Sequence, residues 1–369
     1  MPAIERVEVL MVDLPAKVVR TDAIQAFTSQ ETPIVRIFDS DGGIGIGYSY
    51  TIGTGGSSVV RLIHDHLAPQ LIGRNADLIE EIWKALFYKT HATAVGAITS
   101  LALCAIDTAL WDLRCKRTGQ PLWIAAGGAQ TSIPVYSTEG GWLQLSTDEL
   151  VEQALIAKER GFRGCKVKVG RPHGSEDVDR LEAVREAVGP AFELMTDANQ
   201  AFTVDEAIRR ARLLEPLDLA WFEEPMPAED LDGHVRLCRS TSLPIAVGES
   251  IYSASHLREY LQRGGCSIVQ TDVARIGGIT PWLKTAHLAE CFNMNINPHF
   301  LMELHLSLCC AVPNAKWLEF IPQLDDLTEK GISFQDGAAL PPDEPGIGID
   351  WSWEKVEQRR ASGTTLVVD

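Results

Sequence analysis

The sequence predicts an α/β fold in which a closed barrel of alternating strands and helices is joined to a smaller domain that mixes the two. The chain has 369 residues, more than one simple domain usually contains. Its first third mixes strand and helix patterns. From about residue 131, short apolar runs recur roughly every 20 to 30 residues between amphipathic helical stretches, which is typical of a parallel sheet. Eight such runs fit a closed barrel.

The bulk composition narrows the class of protein. The chain is 45% hydrophobic and 22% charged, and its formal net charge of -17 disfavours nucleic-acid binding, which needs a basic surface. The N-terminus alternates apolar and polar residues, so we expect a strand there and no signal peptide. No apolar run approaches the roughly 20 residues that span a bilayer. Eight cysteines without a CxxC pair indicate reduced thiols. We therefore expect a cytoplasmic protein that binds neither nucleic acid nor membrane.

Residues 1–130 are predicted to form the smaller domain. Residues 39–43 contain an Asp-Gly-Gly cluster and are expected to turn a β-hairpin, because these residues accept the positive φ that such turns need. Three helical patterns follow, at residues 57–73, 75–91 and 94–119. The third is apolar nearly all round and stops at Gly119, which predicts a buried helix.

Residues 131–325 are predicted to form the barrel. Ser146 and Thr203 each lie three residues before a glutamate, which is the spacing of a helix capping box. Residues 326–369 begin rich in glycine and proline, and we expect them to return to cover the smaller domain. The eight apolar runs are IPVYSTE, GCKVKV, FELMTD, LAWFEE, PIAVGE, SIVQTD, MNINPH and KWLEF.

Seven of the runs carry an ionisable residue at their carboxyl end. Barrel enzymes place their chemistry at this end of the strands, whereas a polar residue inside a strand is costly to bury. One alternative is that each residue merely caps the next helix, which could hold for one or two of them. Seven in a row favour an active site. The residues are Lys168, Asp197, Glu223, Glu249, Asp272, His299 and Glu319.

Three of these residues indicate a metal site. Asp197, Glu223 and Glu249 end the third, fourth and fifth runs, so we expect them to be neighbours around the barrel mouth. Each alone could be a surface carboxylate. Together, and without a paired His or Cys, they favour a hard cation, Mg²⁺ before Zn²⁺.

Two lysines share one face of the second run, CKVKVG, because strands alternate faces residue by residue. An exposed edge strand is one explanation, since edge strands often carry lysine. The other is catalytic, because a neighbouring like charge and partial burial lower a lysine pKa towards the range of a base. We expect Lys168, nearer the mouth, to accept a proton. Lys166 would then hold anionic oxygen and lower the pKa of Lys168.

The remaining ionisable residues suit acid-base chemistry. Asp272 and His299 end the sixth and seventh runs, so their side chains can meet across adjacent strands, and the carboxylate would fix the imidazole tautomer. Glu319 ends the eighth run and could donate a hydrogen bond if it stays protonated. A lysine and a histidine that flank the carbon next to a metal-held carboxylate suit removal of an α-proton. Racemisation and dehydration both remain open at this point.

Several motifs in order resemble the enolase superfamily, mandelate racemase subgroup, over nearly the whole chain. They are KVKVG, TDANQ, WFEEP, VGES, TDVARIGGIT, NPHF and WLEF, preceded by AIDTALWDLRCKRTGQPL. The resemblance implies a modified (β/α)8 TIM barrel of the (β/α)7β type with an α+β capping domain. It also implies that Mg²⁺ is held by Asp197, Glu223 and Glu249, with Glu223 and not Glu224 as the ligand in the Glu-Glu-Pro motif.

The same resemblance assigns the chemistry at the barrel mouth. Lys168 matches the second lysine of the family's base motif. Asp272 and His299 match its dyad, and Glu319 matches its electrophilic acid. Asn199 occupies the place of a substrate-contacting polar residue.

Substrate choice in this family depends on two capping-domain loops, near residues 15–30 and 48–56 here. We expect Tyr48 and His91 to contact the substrate, with ordinary structural roles as the alternative. Such polar groups suit a hydroxylated acid. The resemblance thus implies a Mg²⁺-dependent dehydratase of an acid sugar, such as galactarate or L-talarate, that forms a 2-keto-3-deoxy acid.

Other readings use the same residues. A racemase, an epimerase or a cycloisomerase of a sugar-acid lactone would need the same two bases. A catalytically silent barrel would have a broken set of site residues, and none is broken. A Zn²⁺ hydrolase would need histidines beside the metal. The expected partner is a small-molecule carboxylate, and we expect a homo-oligomer.

Overall fold

The computed structural model describes residues 2–93, 96–361, 363 and 365–369. Within these residues the strands form a four-stranded antiparallel sheet and a nine-stranded, mostly parallel sheet. The strands are β1 (Ile4–Thr21), β2 (Ala26–Asp39), β3 (Ile44–Tyr48), β4 (Ile133–Ser137), β5 (Gly164–Lys168), β6 (Glu193–Asp197), β7 (Trp221–Glu223), β8 (Ile245–Val247), β9 (Ile268–Val269), β10 (Leu318–Phe320), β11 (Ser333–Gln335), β12 (Ala338–Leu340) and β13 (Leu366–Val368).

Helices pack against both sheets. Four short helical turns accompany the longer helices: a π-helical turn at Ile63–Leu67 and 3-10 turns at Ala68–Gln70, His91–Thr93 and Glu215–Leu217. The α-helices are α1 (Gly56–Leu62), α2 (Ile79–Lys89), α3 (Ala97–Thr118), α4 (Leu122–Ala125), α5 (Thr147–Glu159), α6 (Gly174–Val188), α7 (Val204–Leu214), α8 (Leu231–Cys238), α9 (Ala254–Arg263), α10 (Ile279–Cys291), α11 (Met302–Ala311) and α12 (Trp353–Gln358). Among the helices described, none has both the length and the apolar character needed to cross a membrane.

The N-terminal sheet has the strand order β13-β1-β2-β3. The expected N-terminal strand is β1, and the expected hairpin joins β2 to β3 with Gly42 at a φ of 82°. β1 and β2 stay paired almost to their shared end, with a register shift between Pro15 and Arg20. The segment expected to be a loop at residues 15–30 is therefore mostly strand. Only the short tip at residues 22–25 is a true connection, because cross-strand pairing extends to Thr21 and Ala26.

Helix α3 forms the apolar support of this sheet. It is mostly buried, as its sequence indicates, and ends at Gly119, whose φ of 66° only glycine adopts without strain. Gly47 of β3 permits the close packing, since a Cβ there would lie 2.2 Å from the carbonyl oxygen of Ala105. Ala94 and Val95, which begin the predicted helical pattern, lie outside the described residues.

The barrel strands β4 to β9 follow one another in parallel, and β10 pairs with β4. The seventh apolar run is reduced to single bridges from Ile296 to Val269 of β9 and to Ala315, just before β10. Pro298 shortens this run because proline cannot donate to a sheet ladder. The predicted barrel is confirmed, with a bridge where the seventh strand was expected.

The barrel contains its own apolar cluster, separate from the main core. Tyr136 and Trp221 pack edge to face with 5.2 Å between ring centroids. The Nζ atom of Lys166 lies 5.7 Å from the centroid of the Tyr136 ring, so this cluster supports the lysine from one side. The other members of the cluster are Met195, Ala246 and Trp317.

The predicted helix caps differ in completeness. Ser146 and Glu149 form both halves of a capping box at α5. At α7, the Thr203 side chain accepts from the backbone N–H of Glu206, which is half of the motif. Each helix therefore starts at the residue that its sequence predicts.

The C-terminal segment contacts both parts of the chain. Strand β12 first pairs with β4 of the barrel. Trp351 then packs against Tyr48 with 5.4 Å between ring centroids, and β13 pairs with β1. Residues 326–369 thus cover one barrel strand before they return to the N-terminal sheet.

Candidate active site

Three buried carboxylates meet at the carboxyl ends of β6, β7 and β8. Asp197 and Glu223 are the last residues of paired strands and stand opposite one another in register, and Glu249 follows β8 by two residues. One carboxylate oxygen from each lies within 4.8 Å of the others. This is the cluster that the sequence predicts for a metal.

The three carboxylates of this cluster repel one another when they are ionised, and this repulsion contributes to the pKa of Glu223. Burial, together with the Asp197 carboxylate, raises the pKa of Glu223 to about 7. Burial would also raise the pKa of Asp197, but Lys168 and Lys166 outweigh it and hold that pKa below its ordinary value. An all-oxygen set of buried carboxylates fits a hard divalent cation, which would relieve their mutual repulsion.

Two side chains that the sequence analysis did not single out orient Glu223. Gln270 Nε2 donates to Glu223 Oε2 at 2.7 Å, and Trp221 Nε1 donates to the same oxygen at 2.9 Å. The neighbouring Glu224 turns to Gln200 and to the backbone N–H of Ser250. Glu223 therefore belongs to the carboxylate cluster and Glu224 points to other partners, as the family resemblance implies.

Both lysines of β5 are buried and ion-paired. Lys166 Nζ lies 2.7 Å from Glu223 Oε1 and 2.9 Å from Glu319 Oε1, and Lys168 Nζ lies 2.5 Å from Asp197 Oδ2. β5 lies between β4 and β6, so the explanation of an exposed edge strand is wrong.

The lysine pKa values depart from the sequence-based expectation. Burial lowers the pKa of Lys168, as expected, but Asp197, Glu223 and Glu249 together outweigh burial, and the pKa is raised. For Lys166, Glu223 and Glu319 outweigh burial, and its pKa lies well above the ordinary value. The expected lowering by a like charge is present but is smaller than the attraction of the nearest carboxylate. A cation bound to Asp197 would weaken that attraction.

His299 contacts a carboxylate at each ring nitrogen. Nδ1 lies 2.9 Å from Asp272 Oδ2, and Nε2 lies 3.1 Å from Glu249 Oε2. Burial lowers the pKa of His299, but Glu249 and Asp272 outweigh burial, and the net pKa is raised. Burial would raise the pKa of Asp272, but the hydrogen bond and charge of His299, together with Arg275, outweigh burial and bring it to about 2. The expected pairing of Asp272 with His299 is thus present.

Glu319 is ionised in this arrangement, contrary to the expectation of a protonated donor. Its oxygens accept from Thr138 Oγ1 at 2.5 Å and from the backbone N–H of Phe300 at 2.7 Å, and Lys166 is its ion-pair partner. Burial would raise the pKa of Glu319, but Lys166, His299 and the hydrogen bonds from Phe300 and Thr138 together outweigh burial, and the pKa falls to about 2. The sequence analysis did not anticipate the contact between Lys166 and Glu319.

The three predicted substrate-binding residues lie in different surroundings. Asn199 has a φ of 43°, donates its backbone N–H to Asp197 at 2.8 Å, and carries a buried Oδ1 with no hydrogen-bond partner among the described residues. Its role stays a prediction. Tyr48 is fully buried against Trp351, and His91 is exposed with Nδ1 near the carbonyl of Tyr88. Neither belongs to the hydrogen-bonded cluster described above.

Tyr50, two residues after Tyr48, contacts the barrel residue Asp272. Its hydroxyl donates to Asp272 Oδ2 at 2.7 Å and accepts from Arg275 Nε at 3.1 Å. The Arg275 guanidinium also contacts Glu249 Oε1 at 3.3 Å. Tyr50 lies two residues beyond the end of β3. The sequence alone does not say which of the two tyrosines in YSY reaches the barrel.

Two family models match consecutive parts of the chain. Residues 6–127 match the mandelate racemase / muconate lactonizing enzyme N-terminal domain, and residues 149–356 match the enolase C-terminal domain-like family.

The chain belongs to the enolase superfamily.

Several enolase superfamily proteins are similar along nearly their whole length. A 3,6-anhydro-alpha-L-galactonate cycloisomerase of Streptomyces coelicolor is 38% identical over 96% of this chain and 98% of its own. An L-talarate/galactarate dehydratase of Salmonella typhimurium is 35% identical over 95% of this chain and 89% of its own. The crystal structure of that dehydratase, liganded with Mg and L-lyxarohydroxamate, superposes with a TM-score of 0.94 at 34% identity, covering 100% of this chain and 94% of the other. The predicted family and fold are confirmed.

Proposed function

We propose that this enolase superfamily member is a Mg²⁺-dependent dehydratase of an acid sugar such as galactarate or L-talarate. The observation that carries the proposal is the placement of Lys168 and His299 at the two ends of one carboxylate row. Lys168 contacts Asp197 at 2.5 Å, and His299 contacts Glu249 at 3.1 Å, with Glu223 between them on the middle strand. A substrate carboxylate held over that row would have a basic group on each side of its α-carbon.

Asp197, Glu223 and Glu249 would hold the Mg²⁺ ion. When bound, Mg²⁺ supplies positive charge that makes the proton next to a carboxylate more acidic. The similar structure from Salmonella typhimurium was solved with Mg, which supports the same ion here. Gln270 and Trp221 would keep Glu223 oriented, as hydrogen bonds to metal ligands commonly do.

The proton movements balance as a dehydration. Lys168 takes the α-proton in its neutral form, which a weaker ion pair with Asp197 would favour. The electrons of that C–H bond form a double bond to the β-carbon as the β-hydroxyl leaves. Protonated His299 gives its proton to the departing hydroxyl, so water is released. The enol that remains gains a proton at the β-carbon, loses the proton of its enol hydroxyl and becomes a 2-keto-3-deoxy acid. The raised pKa of His299 favours the protonated donor that this step needs.

Lys166 would act on the negative charge that develops on the substrate carboxylate, and the Glu319 carboxylate would hold Lys166 in place. Lys166 already forms ion pairs with Glu223 and Glu319, so its ammonium group is in place to attract a further anionic oxygen. Thr138 and the Phe300 N–H hold Glu319 in place. Asn199 is proposed to contact a substrate hydroxyl, which would satisfy its unpaired buried Oδ1.

A cycloisomerase is the second candidate, and its support is the 38% identity to the cycloisomerase of Streptomyces coelicolor. It would use the same α-proton removal but would expel a ring oxygen in place of a hydroxyl. The dehydratase structure, which superposes with a TM-score of 0.94, supports the first candidate, and a substrate screen decides between the two.

A substrate screen tests the proposal. The purified protein with Mg²⁺ is incubated with C4 to C6 mono- and diacid sugars, with 3,6-anhydrogalactonate and with galactarolactone, and 2-keto acid formation is measured. We expect formation from a diacid sugar such as galactarate and its loss when EDTA is added. Turnover restricted to the anhydro acid or the lactone would assign the cycloisomerase instead. Turnover that EDTA leaves unchanged would contradict the metal assignment.

A further inference from the structure

Tyr50 crosses from the capping domain to the barrel. It lies between β3 and α1 and reaches Asp272, which is 222 positions further along the chain. The side chain is 2% exposed, and its ring packs against Phe300 with 4.6 Å between centroids. The next residue, Thr51, exchanges two backbone hydrogen bonds with Glu31 of β2. The phenol is therefore held at both its backbone and its ring.

The Tyr50 hydroxyl joins two parts of the candidate active site. It donates at 2.7 Å to Asp272 Oδ2, the oxygen that also contacts His299 Nδ1 at 2.9 Å. It accepts at 3.1 Å from Arg275 Nε, and the same guanidinium contacts Glu249. Burial raises the pKa of Tyr50 well above its ordinary value, so the hydroxyl keeps its proton as a donor.

The two oxygens of Asp272 are fixed by different domains. The backbone N–H groups of Ala274 and Arg275 donate to Oδ1 at 2.7 and 3.1 Å, and both belong to the barrel. Oδ2 has its second donor from Tyr50. A phenylalanine at position 50 would keep the ring contact with Phe300 but leave Oδ2 with His299 alone. It would also leave Arg275 Nε without this acceptor.

We propose that Tyr50 is a positioning residue through which the capping domain holds the Asp272–His299 pair in the orientation that proton transfer requires. This rests on the proposed function and adds that the step on the His299 side depends on the second domain. Lys168 lies outside this set of contacts, with Asp197 and the Trp142 ring as its neighbours. The step at Lys168 is then independent of Tyr50.

Tyr48 provides a matched control for substitution of Tyr50. Both are tyrosines of the same short segment, and both are buried. The Tyr48 hydroxyl has no hydrogen-bond partner in the described part of the chain and its ring packs on Trp351, away from the histidine. Y50F and Y48F therefore remove the same group from similar surroundings, but only Y50F removes a contact to Asp272.

The first measurement uses activity. Galactarate and L-talarate are incubated in D₂O with Mg²⁺ and each protein, and α-proton exchange and turnover are followed by NMR. The histidine-side rate is the rate of the α-proton exchange that H299N abolishes. The lysine-side rate is the rate of the exchange that K168A abolishes. We expect Y50F to slow the histidine-side rate by about 10- to 100-fold, since a hydrogen bond to a charged group is lost, with KM little changed. Y48F removes no contact to Asp272 and should leave the ratio of the histidine-side rate to the lysine-side rate unchanged. Equal slowing on both sides, or none, would overturn the proposal.

The second measurement needs no substrate and separates this proposal from the proposed function. In protein labelled with ¹⁵N-histidine, the Nδ1 proton of His299 is assigned by its loss in H299N. We expect Y50F to shift this resonance and to make its exchange with water about tenfold faster, while Y48F leaves it unchanged. A wild type that exchanges neither sugar acid refutes the proposed function, and this resonance still decides the role of Tyr50. An unchanged resonance in Y50F would refute the positioning role.

Discussion

His305 on α11 connects the two loops that carry the Asp272–His299 pair. Its Nε2 accepts from the backbone N–H of Val273 at 3.1 Å, and its Nδ1 lies 2.7 Å from the carbonyl oxygen of Phe300. Nε2 must be unprotonated to accept, so the neutral ring fits both contacts. The side chain is fully buried, and burial lowers its pKa from 6.5 to about 4.

This pKa shift makes the fold sensitive to acid in a defined window. The folded pKa is the lower one, so the unfolded chain binds the proton more tightly between pH 6.5 and about 4. Stability is therefore full above pH 6.5 and is lost as the pH falls through that window. At about 1.4 kcal/mol per pH unit, the loss through His305 between pH 7 and pH 5 is about 2 kcal/mol.

Urea unfolding of the wild type and H305Q at pH 7 and pH 5 measures this contribution. H305Q should be less stable at pH 7 because it loses at least one backbone contact, but it does not titrate. The stability gap between the two proteins should therefore shrink by about 2 kcal/mol at pH 5. H287Q, at an exposed histidine of α10, is the control and should show no such change. A gap that is the same at both pH values would refute the reasoning.

Three further predictions concern the site and its support. E249Q should lose tight Mg²⁺ binding, measured by calorimetry, and nearly all turnover, because the row keeps only two charged carboxylates; full activity with tight binding would contradict the metal assignment. K168A and H299N should each abolish dehydration while one of them still exchanges the α-proton with D₂O; if both leave exchange and turnover intact, the two-base mechanism is wrong. Burial raises the pKa of Asp107 from 3.8 to about 7, so its ionisation costs stability as the pH rises, and the wild type should lose about 3 kcal/mol relative to D107N between pH 5 and pH 8. A difference in the free energy of unfolding between D107N and the wild type that is the same at both pH values would contradict that account.

The positions of the carboxylates proposed to hold the metal could be predicted from the sequence because strand ends are local features. Asp197 and Glu223 each follow a short apolar run, and parallel strands bring their carboxyl ends to one edge. No knowledge of distant contacts is needed for that step. The same logic places Lys168 and His299 at the mouth.

The protonation states could not be predicted in the same way, because they depend on which side chains meet. The sequence indicates two lysines side by side, but it does not indicate that Lys166 lies 2.9 Å from Glu319 or that Lys168 lies 2.5 Å from Asp197. Those contacts reverse the expected direction of the lysine shifts and ionise Glu319.

Contacts between the two domains also could not be predicted from the sequence. Tyr50 and Asp272 are far apart along the chain, and no local pattern distinguishes Tyr50 from Tyr48 as the residue that reaches the barrel. The hairpin of β1 and β2 raises the same difficulty, since polar residues at 15–30 resemble a loop until cross-strand pairing to residue 21 is seen. Pairing is a property of both strands together.

The central claim is that this site removes the proton next to the carboxylate of an acid sugar and expels the β-hydroxyl. Its most direct test is the product formed from galactarate in D₂O with Mg²⁺, analysed by NMR and mass spectrometry. The account predicts a 2-keto-3-deoxy acid with one deuterium at C-3, and no product with EDTA. Recovered galactarate without deuterium, from protein that is folded and loaded with Mg²⁺, or a keto acid whose C-3 carries no solvent deuterium, would contradict it.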